Sequence, residues 1–274
     1  MPDITNSAID KQVYAVNTKG NLLAKVEKVF VCLTAKSLQV AGFDDNGKVL
    51  TIRCYQSDGS ADFFERQFGN EPLLLYGGKV SHVFLPSPKN LLVPKSLYKD
   101  DVSRQWFHDM QYAGRDEWVY DQSLSGDKAE YLFAVSSSDK ELIQRYFAKA
   151  KIVPFAAHQF SKNYKTPQIL QCSFTSIEAY LTLYVNKNLH WHKVISFDNI
   201  EDVAYEIHLL CHQMNIPAEQ LALVCAAENN TLTGVIHRLY EYFPNLTIGT
   251  GHVEAEEARW KAPVYLFQQL YSCV

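Results

Sequence analysis

Two histidines stand four residues apart, a spacing that lets both imidazoles reach one metal ion from the same face of a helix. His208 and His212 lie in a stretch of helical periodicity, with Cys211 beside them. The pattern HExxH would need a glutamate directly after the first histidine, and Leu209 occupies that place. We therefore treat His208 and His212 as weak metal candidates and favour partly solvated rings beside a buried stripe.

A second pair, His190 and His192, follows a predicted turn. Strand alternation places both imidazoles on one face and Trp191 on the other. We predict a polar outer face here. The segment around His252 would add a third metal candidate only if the fold brings it near.

The cysteines carry no recognisable chemistry. All six are scattered and no CxxC pair occurs, so neither a structural zinc site nor a thioredoxin-type motif is predicted. We expect buried, reduced thiols in a cytosolic protein. No GxSxG elbow occurs, and Gly249-Thr250-Gly251 is too short for a dinucleotide fingerprint.

Composition excludes several partners. The 274 residues carry a formal net charge of −4, which offers no attraction to phosphate backbones, so no nucleic-acid partner is expected. No run of about 18 apolar residues is present, so no membrane span is predicted. The polar first residues do not read as a secretory signal, and we expect residues 1–25 to form a flexible arm.

Two groups of three strands dominate the pattern. The first group covers residues 29–33, 38–43 and 49–55, and the second covers 169–174, 179–185 and 189–197. A shift of 141 positions superposes the two groups in residue type, which indicates two copies of one unit. Asn46-Gly47 favours a hairpin with positive φ at both residues over a calcium loop, because the later acidic ligands are missing.

The second group continues as helix, strand, helix, strand. Asp198 is the predicted N-cap with Glu201 three residues on, and a buried strand follows at 221–225. A helix over 232–243 and a strand at 246–248 complete the order β-β-β-α-β-α-β. Right-handed crossovers then imply parallel strands and a ribonuclease H-like α/β fold.

The first group has a similar ending. A strand at 131–135, a helix at 139–147 and a strand at 152–155 are predicted, after an inserted subdomain at about 70–125. Within or just before the insertion, a short helix from Pro94 to Tyr98 is expected. Aromatic side chains here form either a subdomain core or an exposed interface; they are Phe63, Phe64, Phe84, Tyr98, Trp106 and Phe107.

Three stretches carry a family resemblance: NLLVPKSLY at 90–98, SFDNIEDVAY at 196–205 and LYEYFPN at 239–245. With them the chain resembles, over roughly residues 26–250, an uncharacterised domain family of the Bacteroidetes group whose known fold is the actin-like ATPase fold. The resemblance implies duplicated ribonuclease H-like halves, which we place at 26–160 and 161–274. It implies no established activity. One departure is Cys225-Ala226-Ala227, where a glycine is expected.

Actin-like ATPases hold Mg-ATP between their halves, so the resemblance also points to cleft residues. An Asp and a Gly are expected in the turn after the first strand of each half, and neither turn has them here. The loop that would hold adenosine lacks its glycines as well. The residues at these places are Thr34, Lys36 and Ser37, then Ser173, Thr175 and Ser176, and in the third loop Glu228, Asn229 and Asn230.

The Asp and Gly residues missing from these loops determine the function that we expect. We expect no catalytic residue and no cofactor, and a pseudo-ATPase that binds a protein partner or forms a homo-oligomer. The alternative is a nucleotide-binding protein or slow ATPase that uses Lys36 and the hydroxyls with ATP and Mg²⁺. A ribonuclease H-like nuclease would need an acid in the strand that here reads Gln171-Cys172-Ser173-Phe174.

Overall fold

A computed structural model describes residues 11–16, 21–75, 79–124, 129–160, 166–253 and 255–274. The chain divides into two compact units: unit 1 comprises Met1–Phe84 and Leu142–Ile152, and unit 2 comprises Leu85–Glu141 and Val153–Val274. The predicted halves, 26–160 and 161–274, differ in extent from these units, and the division into halves stays a prediction.

Strands and helices follow each other in the order that the sequence indicates for an α/β protein. The strands are β1 (Lys11–Ala15), β2 (Lys28–Leu33), β3 (Ser37–Phe43), β4 (Val49–Gln56), β5 (Val80–Leu85), β6 (Asn90–Pro94), β7 (Glu117–Ser123), β8 (Ala129–Ser136), β9 (Lys151–Pro154), β10 (Gln168–Phe174), β11 (Glu178–Val185), β12 (Asn188–Ser196), β13 (Ala222–Ala227) and β14 (Leu246–Ile248). The helices are α1 (Phe63–Asn70), α2 (Pro72–Leu75), α3 (Asp100–Gln111), α4 (Ser137–Tyr146), α5 (Ile200–Met214), α6 (Asn230–Ile236) and α7 (Lys261–Tyr271).

Two sheets share one topology. The first has the order β1-β4-β3-β2-β5-β9, and the second has the order β12-β11-β10-β13-β14. In each, an antiparallel meander is followed by a strand parallel to the first meander strand: β5 beside β2, and β13 beside β10. The predicted meanders and parallel crossovers are therefore confirmed, and β1 is an extra edge strand of the first sheet.

The repeat extends to the pairing register. Val31 pairs with Val40 and Val83, and 141 positions later Cys172 pairs with Leu181 and Cys225. The register also shifts at equivalent places, between Gly42 and Phe43 in one sheet and between Leu183 and Tyr184 in the other. Two copies of one supersecondary unit are thus visible in the hydrogen bonds as well as in residue types.

The turns differ from the prediction in one detail. The loop after β3 spans residues 44–48, and of its Asn-Gly pair only Gly47 has a positive φ, because the Asp44 carboxylate accepts the N–H groups of Asn46 and Lys48. The two-residue turn with positive φ at both positions lies instead at Asn186 and Lys187.

A third, smaller sheet has the order β6-β8-β7 and carries α3 on one face. Phe107 of α3 is fully buried and packs with Val93 and Leu132 in a core of its own. The strand predicted at 131–135 forms as β8, but it pairs with β6 and β7, whereas β5 and β9 complete the first sheet. The alternation of apolar and polar residues in a strand predicts which of its faces is buried, but it does not predict which strand pairs with it.

Four local predictions need correction. The helix predicted from Pro94 to Tyr98 is a turn, and α3 follows it. Within the predicted flexible arm, Lys11–Ala15 pairs with β4; residues 1–10 and 17–20 lie outside the described part. The N-cap of α5 is Asn199, one residue later than predicted, in a capping box with Asp202. Helix α7 is not predicted.

The core of the second sheet lies between its strands and helices α5 and α6. One face of the strands contributes Leu170, Cys172 and Leu181, and α5 contributes Val203 and Ile207. In the part of the chain that the structure describes, no helix has the length and apolar character needed to cross a membrane.

Candidate functional site

The turn after β2 is closed on itself. Ser37 N–H donates to Thr34 Oγ1 at 3.1 Å, Thr34 N–H donates to the Ser37 carbonyl at 2.9 Å, and the two hydroxyl oxygens lie 2.9 Å apart. Both side chains are buried, whereas Lys36 is exposed. The hydroxyls of Thr34 and Ser37 therefore stabilise the hairpin, and of these three predicted cleft residues Lys36 has its side chain in solvent.

The turn after β10 repeats this arrangement at the equivalent positions. Glu178 N–H donates to Thr175 Oγ1 at 3.1 Å, and Thr175 N–H donates to the Glu178 carbonyl at 2.9 Å. Thr175 is 1% exposed. The shared Thr-x-x pattern was in the sequence, but its function as a turn-closing bond becomes clear only from the geometry.

A buried carboxylate occupies the donors of the second turn. Both the backbone N–H and the hydroxyl of Ser176 donate to Glu228 Oε2, at 3.0 and 3.2 Å, and Glu228 is fully buried. Glu178 lies close enough to Glu228 for the two carboxyl groups to interact electrostatically. Burial first, and the Glu228 carboxylate second, raise the pKa of Glu178, while the hydrogen bond from the Tyr180 hydroxyl at 2.6 Å opposes the rise.

Ser173 lies within β10, where it belongs to a buried polar network and not to the turn. His158 Nε2 lies 2.7 Å from Ser173 Oγ, and Gln159 Nε2 donates to the same oxygen at 3.1 Å. The neighbouring Gln171 Nε2 finds no hydrogen-bond partner among the described residues. The cavity beside Gln171 and Ser173 measures about 10 Å³, room for no more than one water molecule.

The network continues across β11 to β12. Thr182 Oγ1 donates to Gln159 Oε1 at 2.7 Å and lies 2.8 Å from His192 Nδ1; His192 Nε2 lies 3.2 Å from the Tyr131 hydroxyl. Because the ring is taken out of water, the pKa of His192 falls to about 3. His192 is therefore not on the solvated outer face that the alternation predicts, and His190 is exposed at the register shift.

The third predicted loop is also used structurally. Asn229 caps α6 by accepting the Leu232 N–H at 3.0 Å, while Asn230 is the exposed first residue of that helix. Gly249 and Gly251 lie against α7 so closely that a Cβ at Gly249 would meet the Tyr265 ring at 2.0 Å. These glycines are needed for helix packing.

The predicted metal candidates are on the exposed face of α5. His208 packs against Phe243, with 4.8 Å between ring centroids, and His212 is exposed. Among the residues that the structure describes, no group of three or more His, Cys, Asp or Glu side chains could hold a metal ion. All six cysteines are free thiols.

A cavity in unit 1 contains none of the predicted cleft residues. It measures about 280 Å³ and is lined by apolar side chains such as Leu23, Val26 and Leu73. Lys79 at its wall donates from Nζ to the Val26 carbonyl. Three of the predicted cleft residues belong to unit 1 and the other six to unit 2.

Sequence reasoning missed most of the polar network. His158, Gln159, Thr182 and Tyr131 were not singled out. A usable signal was present in β10, where Gln171 and Ser173 alternate with apolar residues on a strand that is buried on both faces.

Known structures of this topology have the actin-like ATPase fold. A protein from Bacteroides thetaiotaomicron VPI-5482, described as having an actin-like ATPase fold and unknown function, superposes with a TM-score of 0.76 at 13% identity, covering 94% of this chain and 100% of its own. The fold is therefore that of the actin-like ATPases. The chain belongs to the family described as "Protein of unknown function (DUF3822)", whose model matches residues 19–246.

Two further structures share the fold at lower similarity. A chain of the PilM-PilN type IV pilus biogenesis complex has a TM-score of 0.61 at 12% identity and covers 91% of this chain and 99% of its own. The cytoplasmic domain of EpsL, from the type II secretion system of Vibrio cholerae, has a TM-score of 0.51 at 10% identity, covering 90% and 95%. No curated protein matches the sequence.

Proposed function

We propose that this protein is a catalytically inactive member of the actin-like fold that works as a protein-binding or self-associating module. The observation that carries the proposal is the Glu228 carboxylate, which accepts both donors of Ser176 at the second turn. A carboxylate oxygen there takes the hydrogen bonds that a phosphate oxygen would need. Displacing it would take two hydrogen bonds away from a buried charge.

Charge at the same turn supports this proposal. Glu178 is buried beside Glu228, so a nucleotide phosphate would meet a second carboxylate without an intervening cation. The first turn offers a nucleotide phosphate few hydrogen-bond donors. Its two hydroxyls bond each other and the backbone, and Lys36 alone points its donors at solvent. We propose that the protein functions without a nucleotide cofactor.

The protein-binding half of the proposal has support of a different kind. One chain with this fold is in the PilM-PilN type IV pilus biogenesis complex, so the fold is compatible with binding a protein partner. Unit 2 of this chain also exposes several large apolar side chains. We place this role in the cytoplasm of a bacterium, in keeping with six free thiols.

A thermal-shift titration with Mg-ATP, Mg-ADP and no nucleotide tests the inactive half. A ligand at one hundred times its dissociation constant would stabilise the folded state by about 2.7 kcal/mol. We expect no change in Tm at millimolar nucleotide. A magnesium-dependent increase in Tm would overturn the proposal.

The second candidate function is a nucleotide-binding protein or slow ATPase, and the exposed ammonium of Lys36 is the observation in its favour. Lys36→Ala separates it from unspecific stabilisation. A nucleotide-induced shift that disappears in Lys36→Ala and persists in Lys48→Ala, an exposed lysine of the other loop, would establish this alternative.

A further inference from the structure

Helix α3 buries one face and exposes an apolar stripe on another. Ser103 and Phe107 lie on the buried face, and both are 0% exposed. Val102, Trp106 and Met110, also four residues apart, are 42%, 41% and 61% exposed. We call these three residues the α3 stripe. An amphipathic surface helix needs only one apolar face, so the second one requires an explanation.

Further apolar side chains are exposed beyond both ends of the helix. Leu97 precedes α3 and is 56% exposed, and Tyr112 follows it and is 86% exposed. Within the stripe Met110 is 61% exposed, and methionine adapts well to partners of irregular shape. Exposed apolar side chains therefore occur on the helix and just beyond each of its ends.

Trp118, on strand β7 of the small sheet that carries α3, shows that an exposed indole can find its contacts within the chain. Trp118 lies under the Lys140 ammonium and donates from Nε1 to Ser137 Oγ at 3.1 Å. Trp106 has neither a hydrogen bond nor a ring contact within the part of the chain that the structure describes. Its indole ring and N–H are available to another molecule.

The charge along one border of the stripe is negative. Asp101 and Asp109 are exposed there, and Gln105 between them donates to Asp109 at 2.8 Å. Arg104, on the opposite side, is occupied by Asp100 at 2.8 Å and Asp121 at 2.6 Å. A partner that covers the stripe gains from positive charge beside its apolar side chains.

The helix is also held rigidly, which favours a docking role. Phe107 anchors it in the small core, and Arg104 ties it to β7 through the Val119 carbonyl and Asp121. A surface fixed in advance loses little conformational freedom when a partner binds.

We propose that the α3 stripe docks a basic amphipathic helix of a partner protein, with apolar residues at every third or fourth position and lysine or arginine beside them. The inference rests on the proposed protein-binding function and names its surface. The nine residues from Val102 to Met110 span about 12 Å, the length of roughly two helical turns. A second copy of this chain would bring Asp101 and Asp109 against the same carboxylates, so it fits less well.

Two labelled peptides of about 18 residues test the inference by fluorescence anisotropy with the full chain. Both carry leucine at the same amphipathic positions; one has lysine and the other glutamate at the remaining positions. We expect the leucine-lysine peptide to bind at least tenfold more tightly than the leucine-glutamate peptide. We also expect Trp106→Glu to weaken its binding at least tenfold without lowering Tm.

Tyr205→Glu is the matched control, because Tyr205 is an aromatic residue that is 66% exposed on a different helix, α5. Its affinity for the leucine-lysine peptide should equal that of the wild type. Equal affinity for the two peptides, or unchanged affinity in Trp106→Glu, would overturn the inference.

Sedimentation and nucleotide binding separate this inference from the function on which it rests. Self-association that survives in Trp106→Glu, without selective peptide binding, would preserve the protein-binding function and overturn the α3 stripe. Conversely, Trp106-dependent peptide binding together with a nucleotide-induced increase in Tm would preserve the stripe and overturn the inactive assignment.

Discussion

The two meanders have the same strand order, pairing register, register shift and turn closure, yet equivalent strand faces have opposite character. In the first sheet the face carries Phe30, Ala41 and Ile52, which pair across three strands. In the second sheet the equivalent positions are Gln171, Thr182 and His192, also paired across three strands. The backbone pattern is the same in both copies, whereas the side chains on this face are apolar in the first sheet and polar in the second.

The comparison shows that one pattern of strand pairing accommodates either apolar or polar side chains on this face. Phe30 packs with Phe43 at 4.7 Å and Phe84 at 5.5 Å between ring centroids, so the first sheet is stabilised there by apolar burial. The second sheet has hydrogen bonds there, from Thr182 to Gln159 and between Thr182 and His192. Such a network must be satisfied throughout, because an unpaired buried group costs stability.

The largest effect is expected from the pair of equivalent residues Phe30 and Gln171. Phe30→Ala removes a fully buried ring and should lower the free energy of unfolding by about 3–5 kcal/mol. Gln171→Met keeps the volume and removes an amide without a partner among the described residues, so its change should stay within about 1 kcal/mol. Urea denaturation measures both changes in the free energy of unfolding, provided that the m-value is the same in the variants and the wild type. Equal losses would contradict the assignment of an apolar and a polar face.

A pH-dependent loss of stability should arise at His192 in the second sheet, where the first sheet has Ile52. Burial lowers the pKa of His192 to about 3, whereas an unfolded histidine titrates near 6.5. Between these values the unfolded state binds the proton and the folded state does not, so stability falls as the pH falls. Relative to His192→Ile, which copies Ile52, the wild type should lose about 2 kcal/mol more between pH 7 and pH 5.

Urea denaturation of both proteins at the two pH values gives this difference directly, because all other titrating groups are common to both. His190→Gln, a change at an exposed histidine of the same strand, serves as the control and should behave as the wild type. If His192→Ile lost as much stability on acidification as the wild type, the pH-dependent loss would not come from His192.

The smallest effect tests what the two copies share. Thr34→Val and Thr175→Val each remove the hydroxyl that accepts a backbone N–H at 3.1 Å. Each should cost about 1 kcal/mol, and the two losses should agree, because the turns are closed in the same way. Denaturation midpoints measure them, with Lys36→Ala as a control in the same turn. A loss in one variant alone would show that the turns differ.

Sequence patterns predicted the elements of the two sheets because alternation and apolar runs report burial directly. The shift of 141 positions correctly matched Val31 with Cys172 and Val40 with Leu181, down to the register. The partner of β8 could not be predicted in this way, since buried strands of either sheet have similar composition.

Helices α3 and α7 escaped prediction for opposite reasons. Helix α3 is polar on average, so its few apolar residues did not stand out although they recur at helical spacing. Helix α7 is apolar on most sides and so lacks the single apolar stripe of a surface helix; Pro263 lies in its first turn, which suits a helix start. The one-residue error at Asn199 arose because Asp198 and Asn199 are both good caps.

For the candidate site, residue types indicated which chemistry had been lost, and geometry was needed to show what replaced it. The absence of Asp and Gly from the turns is visible in the sequence. That Glu228 bonds Ser176, 52 positions away, depends on how β10 and β13 pair. Long-range contacts of this kind leave no local signal.

The position of β9 imposes an order on the folding of the chain. This strand closes the β5 side of the first sheet, yet between β5 and β9 the chain first passes through all three strands of the small sheet. On a ribosome, β2 to β5 emerge well before their last neighbour, and β5 must wait with an unpaired edge. Such an intermediate exposes a strand to other chains, so the first sheet is where we expect misfolding to begin during rapid synthesis.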